Sequence, residues 1–140
     1  MTEFIILGTP VAKERPRVGR SGKFYTPTKT HNYESLVGWS YLQVHSSKRQ
    51  KYLKGTPVEM ELEFYFKIPE SFSKKKKEEA LSRKIFPTRK DIDNIEKCVL
   101  DGLNNVAYDD DSQVVKVEKI KYYGNEDFVK VRIGEYKHDS

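Results

Sequence analysis

Residues 58–66 read VEMELEFYF, and the alternation is strict. Val58, Met60, Leu62, Phe64 and Phe66 fall on one side of an extended chain, with Glu59, Glu61, Glu63 and Tyr65 on the other. A period of two this regular describes a half-buried strand whose glutamates form the solvated face. Gly55 and Pro57 precede it, and Ile68-Pro69 stops it. Such a strand needs neighbours in a sheet and a second layer over its apolar side.

Working outward, residues 3–8, EFIILG, form a short apolar run ending in glycine and are expected to be a buried first strand. From Thr9 to Lys29 the chain is TPVAKERPRVGRSGKFYTPTK, where Pro16 and Pro27 oppose a helix and Gly19 with Ser21-Gly22 marks a turn. A loop or irregular hairpin belongs here. It carries Lys13, Arg15, Arg17, Arg20, Lys23 and Lys29 against Glu14, beside Phe24 and Tyr25. Cations and aromatics on a loop suit phosphate contacts and base stacking, although a solvated surface loop has the same composition. Thr30 or Asn32 can cap a helix running to about Lys48, with Tyr33, Leu36, Val37, Tyr41 and Val44 on its apolar face. His31 and His45 have no histidine partner at metal spacing and read as surface residues.

Beyond the central strand, SKKKKEEALSRK (73–84) has helix-favouring composition, with Ser73 as a cap and a Lys74–Lys77 run. Such runs are usually solvated, and this one would also suit a DNA backbone. Val114 to Tyr123 and Phe128 to Tyr136 read as two strands joined through Gly124-Asn125, with a bulge near Glu118 where the alternation slips. The order β-α-β-(α)-α-β-β predicts an α+β fold. It is a single domain over residues 1–140, with an about four-stranded mixed sheet packed with two to three helices.

Composition narrows the function. Lys and Arg number 26 against 21 Asp and Glu, giving a net charge of +5, and 12% aromatic residues support a core. The mean hydropathy of −0.76 and a pI near 9.1 describe a well-solvated basic globule, with a weak lean toward a polyanionic partner. No apolar run approaches the roughly 20 residues needed to span a bilayer, and no signal-peptide pattern opens the chain. A single cysteine, Cys98, excludes an internal disulfide framework and a Cys-type structural zinc site; a cytoplasmic location is the expectation.

The chemistry concentrates in Lys90 to Gln113, KDIDNIEKCVLDGLNNVAYDDDSQ, which holds seven acidic residues within a basic protein. Asp91 and Asp93 project the same way from an extended segment. Asp93 with Glu96 also matches a capping box for a helix whose apolar face is Ile92, Ile95, Val99 and Leu103. That accounts for Asp93 and Glu96 but leaves Asp91 and the triplet Asp109-Asp110-Asp111 without a role. Lys97 stands four residues from both Asp93 and Asp101, either as a surface ion-pair ladder or as a cation beside a reacting phosphate. Asp and Ser favour turns, so the triplet can be turn chemistry; three adjacent like charges would also be relieved by a cation. Two carboxylates from Asp91 and Asp93 with one from the triplet would form an open site for a hard divalent ion.

DIDNIEKCVLDGLNN and YDDDSQVVKVEKIKY resemble the D-x-D-N-x-x-K-x-x-x-D-x-L and D-D-x-Q blocks of the RusA family of Holliday junction resolvases, small endodeoxyribonucleases common in phages and prophages. GTPVAKERPRV and YTPTKTHNYE are also similar to one branch of that family. The resemblance implies a homodimer that binds four-way DNA junctions in recombination and repair. It would nick two strands symmetrically with Mg²⁺, for which Mn²⁺ would substitute, and without a small-molecule cofactor or a membrane. It places the essential aspartates on Asp91, Asp93 and Asp111 and the essential lysine on Lys97, with Asp110 as a supporting metal ligand. The expected DNA contacts are Lys13, Arg15, Arg17, Arg20, Lys23, Tyr25 and Lys90, and Trp39, Tyr41 and the outer face of the long helix are candidates for dimerisation. The competing expectation is a non-catalytic branched-DNA-binding module whose aspartates only cap and turn. A restriction-type nuclease core fits less well, because Glu96 and Lys97 are adjacent rather than separated by one residue on a strand.

Overall fold

The computed structural model describes every residue except Thr26, Asp139 and Ser140, and only the backbone of Arg17 and Tyr25. Its strands are β1 (Thr2–Leu7), β2 (Arg17–Val18), β3 (Phe24–Tyr25), β4 (Val58–Lys67), β5 (Val114–Gly124) and β6 (Phe128–Glu135). Its helices are α1 (Thr28–Leu42), α2 (Lys74–Leu81) and α3 (Ile92–Gly102), with one 3₁₀ turn at Asp111–Gln113. Four strands form a mixed sheet in the order β1-β6-β4-β5, making a small α+β domain of the expected class.

β4 behaves as its alternation requires: Val58, Met60, Leu62 and Phe64 are fully buried, and the glutamate face is half-buried. Its neighbours were not legible. β5 and β6 are consecutive in the chain yet do not pair; β4 lies between them, parallel to β5 and antiparallel to β6. The short 125–127 link therefore spans two inter-strand spacings, roughly 10 Å, rather than closing a hairpin. β1 pairs antiparallel with β6, Thr2 opposite Ile133 and Leu7 opposite Phe128. The expected bulge is present three residues earlier than predicted: Val58 faces Val114 and Glu59 faces Lys116, so Val115 is the extra residue and points outward.

The core lies between the sheet and the pair α1/α3. Phe4, Ile6, Val129, Val131 and Ile133 meet Tyr33, Val37 and Tyr41 of α1 and Ile95, Cys98 and Val99 of α3. Burial pushes the Cys98 thiol up to about 12, so it stays a neutral packing group. The two helices touch at a pair of glycines: a Cβ on Gly102 would lie 2.7 Å from Val37 Cβ and 2.8 Å from the Glu34 carbonyl oxygen, and one on Gly38 would lie 3.0 Å from the Gly102 carbonyl oxygen. Only glycine permits that approach.

α1 begins earlier and ends sooner than predicted. Its N-cap is Pro27, without a side-chain cap, and it stops at Leu42 rather than near Lys48. Thr30 is buried inside the helix with its hydroxyl unpartnered, so it caps nothing. Tyr41, a candidate for dimerisation, is 1% exposed and belongs to the core, whereas Trp39 is 59% exposed. Ser73 caps α2 as predicted, accepting from the Lys76 amide at 3.2 Å. Among the described residues, no helix is long and apolar enough to cross a membrane.

Candidate active site: an acidic helix edge faced by lysines

Asp91, not Asp93, is the N-cap of α3, with extended backbone angles and no capping hydrogen bond from its side chain. Asp93 sits inside the first turn. The shift follows from Lys90, whose φ of +62° turns the chain one residue before the helix. Such a left-handed lysine costs on the order of 1–3 kcal/mol unless held. It is held: Lys121 Nζ donates to the Lys90 carbonyl at 2.8 Å and to that of Arg89 at 3.1 Å, while the Lys90 ammonium donates to the Pro10 carbonyl. Burial, with some repulsion from Lys29, pulls the Lys90 pKa below its ordinary value. The result is an exposed Asp91 carboxylate, satisfied by neither cap nor core.

Asp93 accepts from Lys119 Nζ at 2.7 Å, and Glu96 lies 3.3 Å from the same ammonium. Burial opposes the charge on Lys119, but the two carboxylates outweigh it and raise its pKa. At the other end of α3, Lys97 Nζ is 3.8 Å from Asp101 Oδ2, and Lys13 Nζ is 3.1 Å from it while also donating to Glu34. The Lys13, Glu34 and Asp101 side chains are each 17% exposed, wedged beside the glycine crossing of α1 and α3.

The three consecutive aspartates have three different roles. Asp109 pairs at the surface with Lys51 at 3.2 Å. Asp110 caps the 3₁₀ turn, accepting from the Ser112 amide at 3.1 Å, which lowers its pKa. Asp111 turns back to α3, where its carboxyl lies within hydrogen-bonding reach of Asp101. Burial, then the charges of Asp101 and Asp110, raise its pKa against the opposing pull of Lys97. Gln113 completes the scaffold: its Oε1 accepts from the Asp109 amide at 2.9 Å, and its Nε2 donates to Leu53 and Thr56 carbonyls. Tyr108, buried, donates to the Leu100 carbonyl at 2.7 Å and ties the turn to the helix end.

The carboxylates thus form two groups. Asp91, Asp93 and Glu96 stand at the start of α3; Asp101 and Asp111 stand at its end. Eight residues separate Asp93 from Asp101, roughly 12 Å along the axis, with Lys97 one turn from each. Among the described residues, no three His, Cys, Asp or Glu side chains come close enough to share a metal ion. The expected meeting of Asp91, Asp93 and Asp111 is therefore not what one chain displays.

Of the expected DNA contacts, Arg15, Arg20 and Lys23 are exposed on and beside the β2–β3 hairpin, next to Phe24, which is 73% exposed. Arg17 and Tyr25 pair through their backbones, and their side chains lie outside the described residues. Lys13 and Lys90 are engaged internally as above. Sequence reasoning missed Asp101, Glu34, Lys119 and Lys121. Asp101 carried a signal in its i+4 spacing from Lys97. Lys119 and Lys121 carried none, because their partners at the start of α3 lie far away in the chain.

The fold and site together define a small basic α+β domain with a carboxylate-bearing helix edge set among lysines. The comparisons make the class specific. The family described as Endodeoxyribonuclease RusA matches residues 8–134, nearly the whole chain. A protein of Bacillus subtilis (strain 168), described as uncharacterized protein YqaN, is 40% identical over 139 residues, covering 95% of each chain. The chain belongs to the RusA endodeoxyribonuclease family.

Proposed function

We propose that this protein is a divalent-metal-dependent endonuclease that resolves four-way DNA junctions, acting as a homodimer with one acidic site for each strand cut. The observation that carries the proposal is the pair of carboxylates left over when structural roles are assigned: Asp91, at a helix start but capping nothing, and Asp111, pressed against Asp101. Asp101 and Asp111 fit a hard cation such as Mg²⁺, which is commonly held through one or two carboxylates and substrate phosphates. Asp91 and Asp93 stand at the start of α3, roughly 12 Å or more from Asp101 and out of reach of that ion. They would offer their oxygens to a second cation there, with Asp110 a supporting group beside Asp111. When bound, such an ion would supply charge stabilisation and a more acidic water. Lys97, its side chain 58% exposed, is available to a phosphate oxygen beside Asp101. Arg15, Arg17, Arg20, Lys23 and Tyr25 would grip the DNA arms from the hairpin, with Lys13 and Lys90 shaping the loops behind them.

A non-catalytic binding module accounts for Asp109 and Asp110, whose pairing and capping roles are on display. It leaves Asp91 and Asp111 unexplained. The deciding experiment cuts four-way junction, fork and linear duplex side by side in Mg²⁺, Mn²⁺ and EDTA. Symmetric paired nicks in the junction, abolished by Asp91→Asn and Asp93→Asn with binding retained, are expected. No nicking at any metal concentration would favour the binding module.

A further inference from the structure

A cleft of about 260 Å³ opens where β4 and β5 end, immediately before α3. Two aromatic residues line it: Phe66 and Tyr123, which are register partners at the ends of these strands. Pro69, half-buried, adds a further rigid surface, and the rim carries the exposed cations Lys67 and Arg89. Asp127 fixes the floor, accepting from the Lys67 amide at 2.7 Å and from Thr9 Oγ1 at 3.0 Å. Behind Tyr123 stands Phe72, edge-on at 5.6 Å, with Lys76 Nζ 4.1 Å from its ring centre. The lysine run of α2 is therefore anchored beside the same cleft.

We propose that this cleft receives a single nucleobase, swung out of its stack, from the nucleotide beside the phosphate to be cut. The inference rests on the junction-cleaving reading above and names how that site holds its strand. Aromatic rings and a proline offer flat surfaces to a base of any identity, while cations at the mouth match the phosphates flanking it. The room is that of one ring system rather than a base pair, so the base must leave the duplex to enter. Its position relative to the acids is fixed by sequence: Arg89 and Lys90 line the cleft, and Asp91 is the next residue. A strand with its base in the cleft passes the helix start on its way to the acidic edge.

The test is an abasic scan on the purified full-length chain. Four-way junctions with one abasic site, moved a nucleotide at a time along one strand, are bound without divalent metal so that cleavage plays no part. Loss of one aromatic–base stack is worth roughly five- to a hundred-fold in affinity. Wild type is expected to lose at least about ten-fold at one position and little elsewhere. Tyr123→Leu is expected to bind every substrate as weakly as wild type binds that abasic one. Arg89→Ala, at an exposed rim position, should weaken all substrates equally while keeping the position dependence. Uniform binding along the scan, or a Tyr123→Leu protein that still discriminates, overturns the cleft and leaves the nuclease reading standing. Position-dependent loss without any cleavage supports the cleft and overturns the catalytic reading. The wild-type scan decides even if Tyr123→Leu fails to fold.

Discussion

Replacing Lys13 with methionine tests how the acidic edge is held together. The ammonium sits between Glu34 on α1 and Asp101 on α3, all three side chains mostly shielded. Met fills a similar volume but leaves two carboxylates facing each other, with the Asp111 carboxyl beside one of them. Removing one partner of a buried ion pair costs about 3–5 kcal/mol. With a sixth of each side chain still wet, the loss is closer to about 2–3 kcal/mol. For 140 residues, an unfolding entropy of roughly 0.3 kcal/mol/K turns that into a Tm lower by roughly 7–10 °C. Calorimetry or circular dichroism at neutral pH measures it directly, and Glu34→Gln in the Lys13→Met background should recover part of the loss. The pH dependence has a definite sign. Burial disfavours the Lys13 charge, but Glu34 and Asp101 outweigh it and leave its pKa above the ordinary 10.5. Its contribution is therefore complete below pH 10.5 and lost as pH climbs through the raised folded value. The gap between wild type and Lys13→Met should stay flat through neutrality and close only in alkali. A Lys13→Met protein within about 1 kcal/mol of wild type at pH 7 would refute the reasoning and make this an ordinary surface bridge.

Gly102→Ala would drive a methyl into Val37 and the α1 backbone. Overpacking less the helix-propensity gain predicts a net loss of about 2 kcal/mol, read as a lower urea midpoint at unchanged slope. For Asp111, whose pKa is raised above the ordinary 3.8, the favourable contribution belongs to the protonated form, present below pH 3.8 and lost as pH rises through the folded value. Asp111→Asn should therefore melt higher than wild type at pH 7 in EDTA, and the difference should shrink on acidification. Lys119→Met removes bridges to Asp93, whose side chain is 84% exposed, and to Glu96, whose side chain is 21% exposed. Stability should fall by about 1–2 kcal/mol, nearly all of it from the shielded Glu96 pair, while junction cleavage falls about ten-fold if Lys119 sets the position of Asp93.

The elements that read correctly were those whose periodicity is local. β4 needed only its own alternation, and α3 only Ile95, Val99 and Leu103. The acidic block was conspicuous because seven carboxylates in one short stretch of a basic chain require an explanation. What sequence could not supply depended on distant partners. The cap of α3 moved to Asp91 because Lys121, thirty-one residues from Lys90, fixes a left-handed turn there. The triplet could be divided only once Lys51, Ser112 and Asp101 were seen to occupy different members of its surroundings. Sheet order was hidden for the same reason: nothing in the 125–127 link reveals that β4 slides between the strands it joins.

The pairing of β1 with β6 has a consequence for synthesis. Thr2 pairs with Ile133, 131 residues further along the chain, so β1 has no sheet neighbour until β6 has been made. At roughly 5–20 residues per second, the edge of β1 stays unpaired for on the order of ten seconds, although α1, made early, can already cover Phe4 and Ile6. The contact also spans almost the full chain, the kind of long-range closure that slows folding. A chain cut short after β5 would present an unpaired β4 edge together with an orphaned β1. β6 is thus the strand that joins β1 to the rest of the sheet, and without it the layer under α1 and α3 is incomplete.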